Sequence, residues 1–476
     1  MKELIEQLYK FDRYLLGSGY DNALQYLKTV LGSMDILEFP SGTRFGSWTV
    51  PEEWSVRGAW VKVDGERIID FAKDPLALAV NSAPFSGWVK LDELKKHINY
   101  SDDLPDATQY SYKFYEKDWA FSMPKSKFKR KTDEGCKDCD KEVKTIDPEV
   151  GKIKIDGVDY TPKYEDALRD TEYQVMVDTE FKPGKMKVGV HTIKGKSDRE
   201  ILLFAHLDHP YQANDNLSAV ACLVDLAQKI KADHTIKLIF CPETIGSIAY
   251  ASTQDISKVD FVIAVEICGN DRPLLLQKAF DRESRLNRVA DAAFQMLGKE
   301  YRKAEFRNVI GSDEYFFNDP KVGIPGILLT RHPFKEYHTS DDTPDKLNME
   351  KIEETGQAIM KIIEIWEKDY IPERVSAGPI MRSRYDMQSP SPQINLNYDY
   401  LFYSMDGKKT LSQLCAIFEL PFDVIYQELE KIINDGQIRK GSCPTPSEGG
   451  VKKIAGKKHP KLSRKTNVPV ERREVP

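Results

Sequence analysis

EILLFAHLDHPYQANDNLSAVACLVDLAQKI, residues 200–230, carries most of the reading of this chain. An unbroken apolar run from Ile201 to Ala205 has the length and composition of a strand buried on both faces. It stops at His206. A polar stretch follows, and from Leu217 the apolar residues return at helical spacing. Strand, polar turn and helix in that order make the unit from which α/β sheets are built.

Working outward, the same alternation recurs. TIKLIFCP (235–242), DFVIAVEIC (260–268) and GIPGILLT (323–330) read as buried strands, and LNRVADAAFQML (286–297) as a helix between two of them. The segment 161–380 is therefore expected to be a mixed sheet flanked by helices. Polar residues gather where those strands end: HLDHP at 206–210, PETIGS at 242–247 and VEICG at 265–269. Open α/β sheets place their sites at the carboxyl ends of strands. ANDNLSA (213–219) and YHTSDDT (337–343) complete a set of five polar stretches.

Each stretch has a bland alternative. His206 and Asp208 are two polar residues at a strand end. Asp215, with Asn214, Asn216 and Ser218 around it, suits a helix N-cap. Glu243 suits the positive end of a helix dipole, and His338 a solvated loop. Glu266 resists such an account, because an acid within a buried apolar run needs a partner and a metal ion is a suitable one. Imidazole and carboxylate are the ligands zinc takes. A carboxylate beside a metal can carry a proton from water to a leaving amine, the role open to Glu243.

Beyond this segment the texture changes. Residues 1–35 place Leu4, Leu8, Phe11, Leu15, Leu24, Leu27 and Leu31 at helical spacing, broken by Gly17 and Gly19. Residues 36–160, with AWVKVDG and RIIDFA between Gly, Pro, Asn and Asp, read as an inserted β-rich domain. Cys136 and Cys139 form a CxxC in KRKTDEGCKDCDKEV, read as a solvated loop because no second CxxC or paired histidines complete a zinc site. RSRYDMQSPSPQI reads as a linker. Residues 390–445 then have two helical periods interrupted at Leu420-Pro421 and a glycine turn, suiting a winged-helix unit. Residues 446–476 are basic, lack apolar periodicity and read as disordered.

The 476 residues include 69 Lys+Arg and 75 Asp+Glu, a formal charge of -6. No global positive field attracts nucleic acid or an anionic membrane, so a nucleic-acid partner is disfavoured and left open only through the C-terminal unit. Seven cysteines at irregular spacing point to a reducing compartment and a cytoplasmic protein. No run approaches a membrane span, and MKELIEQLYKFDRYLL is too charged for a secretory signal. A small molecule or peptide is the expected substrate, and a homo-oligomer is compatible with the sequence.

In order, the five stretches resemble the co-catalytic zinc aminopeptidases and their relatives, including glutaminyl cyclases and glutamate carboxypeptidases. The run in this chain is His206-Leu207-Asp208, Asp215-Asn216-Leu217-Ser218, Glu243 to Gly246-Ser247, Glu266-Ile267-Cys268-Gly269, Ser312-Asp313-Glu314 with Gly323-Ile324-Pro325, and His338-Thr339-Ser340-Asp341-Asp342-Thr343. Across nearly the whole chain, SGTRFGSWTVPEEW, ANDNLS, PETIGSI, GSDEYFF and YHTSDDT are similar to a bacterial group of polysaccharide-biosynthesis proteins with an aminopeptidase-like domain. The resemblance implies a zinc-exopeptidase-like sheet, an inserted β-rich domain and a C-terminal winged helix. It further implies that His206 and Glu266 hold one zinc, Asp215 bridges and His338 binds a second. Tyr337 would then stabilise the oxyanion and Asp208 orient His206.

This chain departs from that pattern at Pro242-Glu243-Thr244, where the family has two adjacent glutamates, a base and a ligand. Aligned on the following glycine, Glu243 is the base and Thr244 occupies the ligand's place; shifted by one, Glu243 is the ligand and the base is lost. One zinc or two are both compatible. His209 has no assigned role, as either a substitute ligand, a substrate contact or a structural residue. The expected activity is zinc-dependent hydrolysis of an amide or peptide bond. The alternative is a non-hydrolytic binding module acting through its winged helix on nucleic acid or protein.

Overall fold

The structure, a computed structural model, describes residues 1–132, 153–155, 158–160, 163–166, 168–387 and 392–444. Cys136, Cys139 and the basic stretch 446–476 lie outside the described residues.

Eight strands form the main sheet: β1 (Asp35–Pro40), β2 (Lys185–Ile193), β3 (Glu200–His206), β4 (Thr235–Cys241), β5 (Val259–Glu266), β6 (Leu274–Gln277), β7 (Tyr301–Ala304) and β8 (Gly326–Thr330), in the order β1-β2-β4-β3-β5-β8-β6-β7. The central β4, β3, β5 and β8 run parallel. β1, β2 and the β6–β7 pair join them antiparallel, making the sheet mixed. Alternation along β3 explains why it reads as wholly apolar. Ile201, Leu203 and Ala205 enter one core with Val220, Leu223 and Ile359, while Leu202 and Phe204 enter the other with Ile248 and Phe317.

Helices α1 (Lys2–Leu8), α2 (Ser18–Leu31), α3 (Leu217–Lys229), α5 (Arg285–Leu297) and α6 (Met349–Lys368) bury residues in the first core, and α4 (Ile245–Thr253) in the second. α2 lies so close to β2 that a Cβ at Gly189 would stand 2.9 Å from Leu24 Cδ2 and 2.7 Å from Met34 Sδ.

A smaller antiparallel sheet, in the order Glu66–Asp70, Glu53–Val63, Glu172–Lys182, Phe85–Lys90, has its own core around Trp54, Val61, Phe121, Tyr173 and Val175. The expected boundaries at 36 and 160 cut across this arrangement. Asp35–Pro40 is an edge of the main sheet, paired with Lys185–Val190, and Glu172–Lys182 is central in the smaller one. Strand propensity is local, whereas the partner that completes a strand's hydrogen bonds lies far along the chain.

At the C-terminal end stand α7 (Pro392–Tyr403), α8 (Leu411–Ile417), α9 (Phe422–Asn434) and the strand Ile438–Gly441. Thr410 and Gln413 cap α8 reciprocally. The final strand pairs with Ile371–Arg374, so the expected division between 161–380 and 390–445 is also crossed by backbone hydrogen bonds. Leu401, Leu414, Ile425 and Leu429 continue the first core. Among the described residues no helix is long and apolar enough to cross a membrane.

One ion cluster ties the edge of this body. His234 Nε2 lies 2.9 Å from Asp260 Oδ2 and its Nδ1 3.0 Å from Glu367 Oε1, while Arg199 Nε donates to Asp260 Oδ1 at 3.0 Å. Burial disfavours the charged imidazole, but the bonds to Asp260 and Glu367 outweigh it and raise His234 to about 9. A histidine raised on folding contributes stability that is full below its unfolded value near 6.5 and is lost as pH rises through about 9. Discounted for partial exposure, the contribution is about 1–2 kcal/mol. Thermal unfolding of the wild type should therefore weaken between pH 6.5 and 9 by that much more than in His234→Asn; parallel pH profiles would remove the assignment.

Candidate metal centre

Three of the expected side chains sit at the ends of adjacent parallel strands. His206 closes β3, Glu266 closes β5, and Glu243 follows β4 by two residues. Parallel register brings their carboxyl ends to one edge, and the ligand atoms of His206, Glu243 and Glu266 lie within 4.8 Å of one another. Asp215, from the turn before α3, places Oδ1 2.9 Å from His206 Nε2. His338, from the loop after β8, places Nε2 2.9 Å from Asp215 Oδ2. His209 Nδ1 lies 3.1 Å from that same oxygen. The four residues expected as ligands thus stand together, with His209 among them.

The turn before α3 is not an ordinary cap. Asn216 occupies the N-cap position without a side-chain cap bond. Its amide instead donates to Val265 O at 2.9 Å and accepts from the Ile267 N–H at 3.0 Å, gripping the strand end on both sides of Glu266. The same Nδ2 lies 3.2 Å from His206 Nδ1. Asn214 Oδ1 accepts from Gly269 N–H at 2.8 Å, and Ser218 Oγ from Cys268 N–H at 3.0 Å. Asp342 holds Asp215 from behind, its two oxygens accepting from the Asn214 N–H at 2.7 Å and the Asp215 N–H at 3.0 Å.

Asp208 differs from its expected part. Its Oδ1 accepts from the Glu243 backbone N–H at 2.8 Å, and it is Asn216 that faces the free nitrogen of His206. Asp208 therefore positions Glu243 rather than His206. β3 ends at His206, so the alternation that would have kept Asp208 on the same strand face no longer applies. Tyr337 stacks on His338, ring centroids 3.9 Å apart. Burial, then the charges of Asp215, Glu266 and Glu243, push its hydroxyl far above the usual range, so it stays a proton donor.

Electrostatically the centre is unfinished without a cation. Glu266 is 1% exposed, and burial with the nearby Glu243 and Asp215 drives its carboxyl well above the ordinary range. Burial raises Glu243 to about 7, against the pull of His206 and His209, although its side chain retains 27% exposure. Burial would raise Asp215 too, but His209, His206 and His338 together hold it well below the ordinary value. Glu266 Oε2, Asp215 Oδ2, His209 Nδ1 and His338 Nε2 are all buried without a hydrogen-bond partner. Asp215 Oδ2 lies at contact distance from both nitrogens, yet neither is aligned to bond it. Buried polar groups are almost always satisfied, and this set fits a divalent ion.

The family model described as Domain of unknown function (DUF4910) matches residues 2–369. This chain belongs to the DUF4910 family. A Clostridium acetobutylicum protein provisionally named as a polysaccharide biosynthesis protein with aminopeptidase-like domain is 28% identical over 371 residues, 76% of each chain. The DUF4910 chain also matches a crystal structure from the same organism, provisionally called a peptidase, with TM-score 0.72 and 24% identity over 92% of this chain and 95% of that one. The zinc aminopeptidase BSAP of Bacillus subtilis matches with TM-score 0.53 and 13% identity, covering 76% of this chain and 93% of its own. The mixed sheet with flanking helices is thus that of the zinc aminopeptidases.

In this DUF4910 chain the centre is roofed by the smaller sheet's body. Tyr110 N–H donates to His338 O at 2.8 Å and Ser340 N–H to Thr108 O at 2.8 Å. The Tyr110 ring stands 5.1 Å from His338 and 5.4 Å from His209. Beside Glu243 and Asp208 opens a cavity of about 300 Å³ walled by Leu15, Trp48, Phe114 and Tyr115. Trp48, Phe114 and Tyr115 also border a wider cleft of about 910 Å³. Neither the roof nor this aromatic wall was named from the sequence, because both come from loops whose approach depends on tertiary packing. His209 did leave a signal, as the third residue of a metal-binding type in the four positions 206–209.

Proposed function

We propose that this chain is a zinc-dependent amide hydrolase of the aminopeptidase type. The observation that carries the reading is the set of orphaned, buried donors converging on Asp215 Oδ2 at the strand ends. His206, Asp215, Glu266 and His338 would hold the ions. A zinc ion there supplies Lewis acidity toward a scissile carbonyl and toward water. Glu243 is the base: it keeps some exposure toward the cavity, its N–H is fixed by Asp208, and it stands beside His206 and Glu266. It takes a proton from water and hands it to the departing amine. Tyr337, held neutral, donates its hydroxyl to the oxygen on which charge develops.

The aromatic wall beside Glu243 favours a substrate with an apolar group next to the cleaved amide. The relative named for polysaccharide biosynthesis extends the candidates to amides of biosynthetic intermediates, not only peptides. In this reading the body of the smaller sheet is an insertion that completes the site, and α7–α9 with their strand form a winged-helix unit. The alternative of a non-hydrolytic module rests on the missing second glutamate at Pro242-Glu243-Thr244 and on the basic residues of 446–476, which lie outside the described residues.

The test is metal content by mass spectrometry and hydrolysis of a panel of aminoacyl amides, using wild type and Asp215→Ala. The wild type should retain zinc and prefer leucyl and phenylalanyl over aspartyl and lysyl amides, with both metal and activity lost in the variant. A wild type that takes up no zinc, or hydrolyses nothing above the Asp215→Ala background, would overturn the proposal.

A further inference from the structure

We infer that His209 is a protein ligand of a second divalent ion, supplying the contact that Thr244 cannot. The inference rests on the hydrolase reading. With Glu243 as base and His206 and Glu266 on the first ion, the second is left with Asp215 and His338, too few protein groups to fix it firmly. Thr244 does not help. It stands at the N-cap of α4 with φ +62°, and its N–H donates to Asp313 Oδ1 at 3.0 Å. A threonine hydroxyl is in any case a weak substitute for a carboxylate.

His209 meets the requirements of a ligand one by one. Its ring is 4% exposed as a residue and lies across from both other imidazoles, 4.8 Å from His206 and 5.2 Å from His338 by centroid. Nδ1 points at Asp215 Oδ2, 3.1 Å away, without hydrogen-bond alignment, and that oxygen also faces His338 Nε2 at 2.9 Å. Two imidazole nitrogens thus face one carboxylate oxygen, all three buried and unpartnered, and the ligand atoms of His209, His206 and Asp215 lie within 4.8 Å of one another. The opposite nitrogen, Nε2, faces Glu243 Oε2 at 3.6 Å and Asp208 Oδ2 at 4.0 Å. Ligating histidines present their second nitrogen to such outer carboxylates, which fix the tautomer and the ring.

The backbone is built to hold this pose. His209 has φ +73°, a conformation uncommon outside glycine and costly unless the surroundings impose it. Arg13 imposes it, its Nη2 donating to His209 O at 2.6 Å and its Nε to Leu207 O at 2.9 Å. A histidine kept only as a counter-charge to Asp215 would need neither the strained backbone nor an unaligned nitrogen.

Full-length protein stripped of metal and reloaded with zinc should bind two ions per chain, counted by mass spectrometry. His209→Ala should bind one at wild-type affinity. The second should weaken by at least ~100-fold, because losing even the outer partner of a ligand costs about 10–100-fold. X-ray absorption of the zinc-loaded wild type, which needs no variant to fold, should show three imidazoles shared by two ions, against two if His209 does not ligate. Two ions bound undiminished by His209→Ala, a single ion in the wild type, or two imidazoles in the absorption spectrum would each overturn the assignment. A wild type that binds no metal would instead fail the hydrolase reading itself.

Discussion

Glu243→Gln should keep its metal and lose its hydrolysis. Glutamine preserves the shape and the backbone bond to Asp208, so the pocket persists, but an amide cannot accept and return a proton. General acid–base catalysis of this kind contributes about 10²–10⁴-fold, or roughly 3–5 kcal/mol of barrier. The loss should fall on kcat, with KM for an apolar aminoacyl amide nearly unchanged. Since the carboxylate must be ionised to act, activity falls as pH drops through its pKa. Burial, opposed by His206 and His209, raises it to about 7. An adjacent cation lowers it, placing the acid limb of the wild-type profile below that value. Steady-state kinetics beside metal analysis decide the matter. A variant within threefold of wild type would remove Glu243 as proton carrier, and one that loses zinc would make it a ligand.

Arg13→Met should be among the most destabilising single changes in the chain. Arg13 is fully buried, and its guanidinium donates to the carbonyls of Leu8, Leu207, His209 and Gln212. Burial lowers it to about 10, against the supporting charges of Asp208 and Asp342, so it remains a cation at neutral pH. Methionine fills the volume and takes the guanidinium from the carbonyls of Leu207, His209 and Gln212, while Leu8 O keeps the Phe11 N–H at 3.2 Å. Breaking a buried charged network of this kind costs about 3–5 kcal/mol. For a body of this size that corresponds to a fall in Tm on the order of 10 °C. Lysine should rescue little, because one ammonium cannot span the fork. Calorimetry of both variants checks it; a Tm within 2–3 °C of wild type would show that water replaces the guanidinium at little cost.

These two residues mark what could and could not be read from the sequence. Glu243 was visible because a strand announces itself by its apolar run, and the first polar residues after it must lie at the sheet's edge. His206 and Glu266 were visible for the same reason. Arg13 was invisible: it lies in a connection between two helices, and its burial is created by a loop almost two hundred positions away. The same distance defeats the assignment of Asp35–Pro40 and Glu172–Lys182 to their sheets, since alternation names a strand and not its neighbour. Asparagine at the start of a helix is commonly a capping residue, and the sequence alone suggests no other use for Asn216. The structure spends its amide on the strand end beside Glu266 because the chain turns back across that end before the helix begins.

The roof over the centre has a consequence for how the molecule behaves as a whole. His338 hangs from the main sheet, yet its carbonyl is tied to Tyr110, which belongs to the core around Trp54 and Phe121. An ion bound at Asp215 and His338 would therefore stiffen the loop that the second hydrophobic body grips through Tyr110, by backbone hydrogen bonds and by the ring against His338 and His209. Ligand that binds only the native state adds RT ln(1 + [L]/Kd) to stability. Here that increment would fall on the seam, so zinc supply would set whether the two bodies melt together or apart.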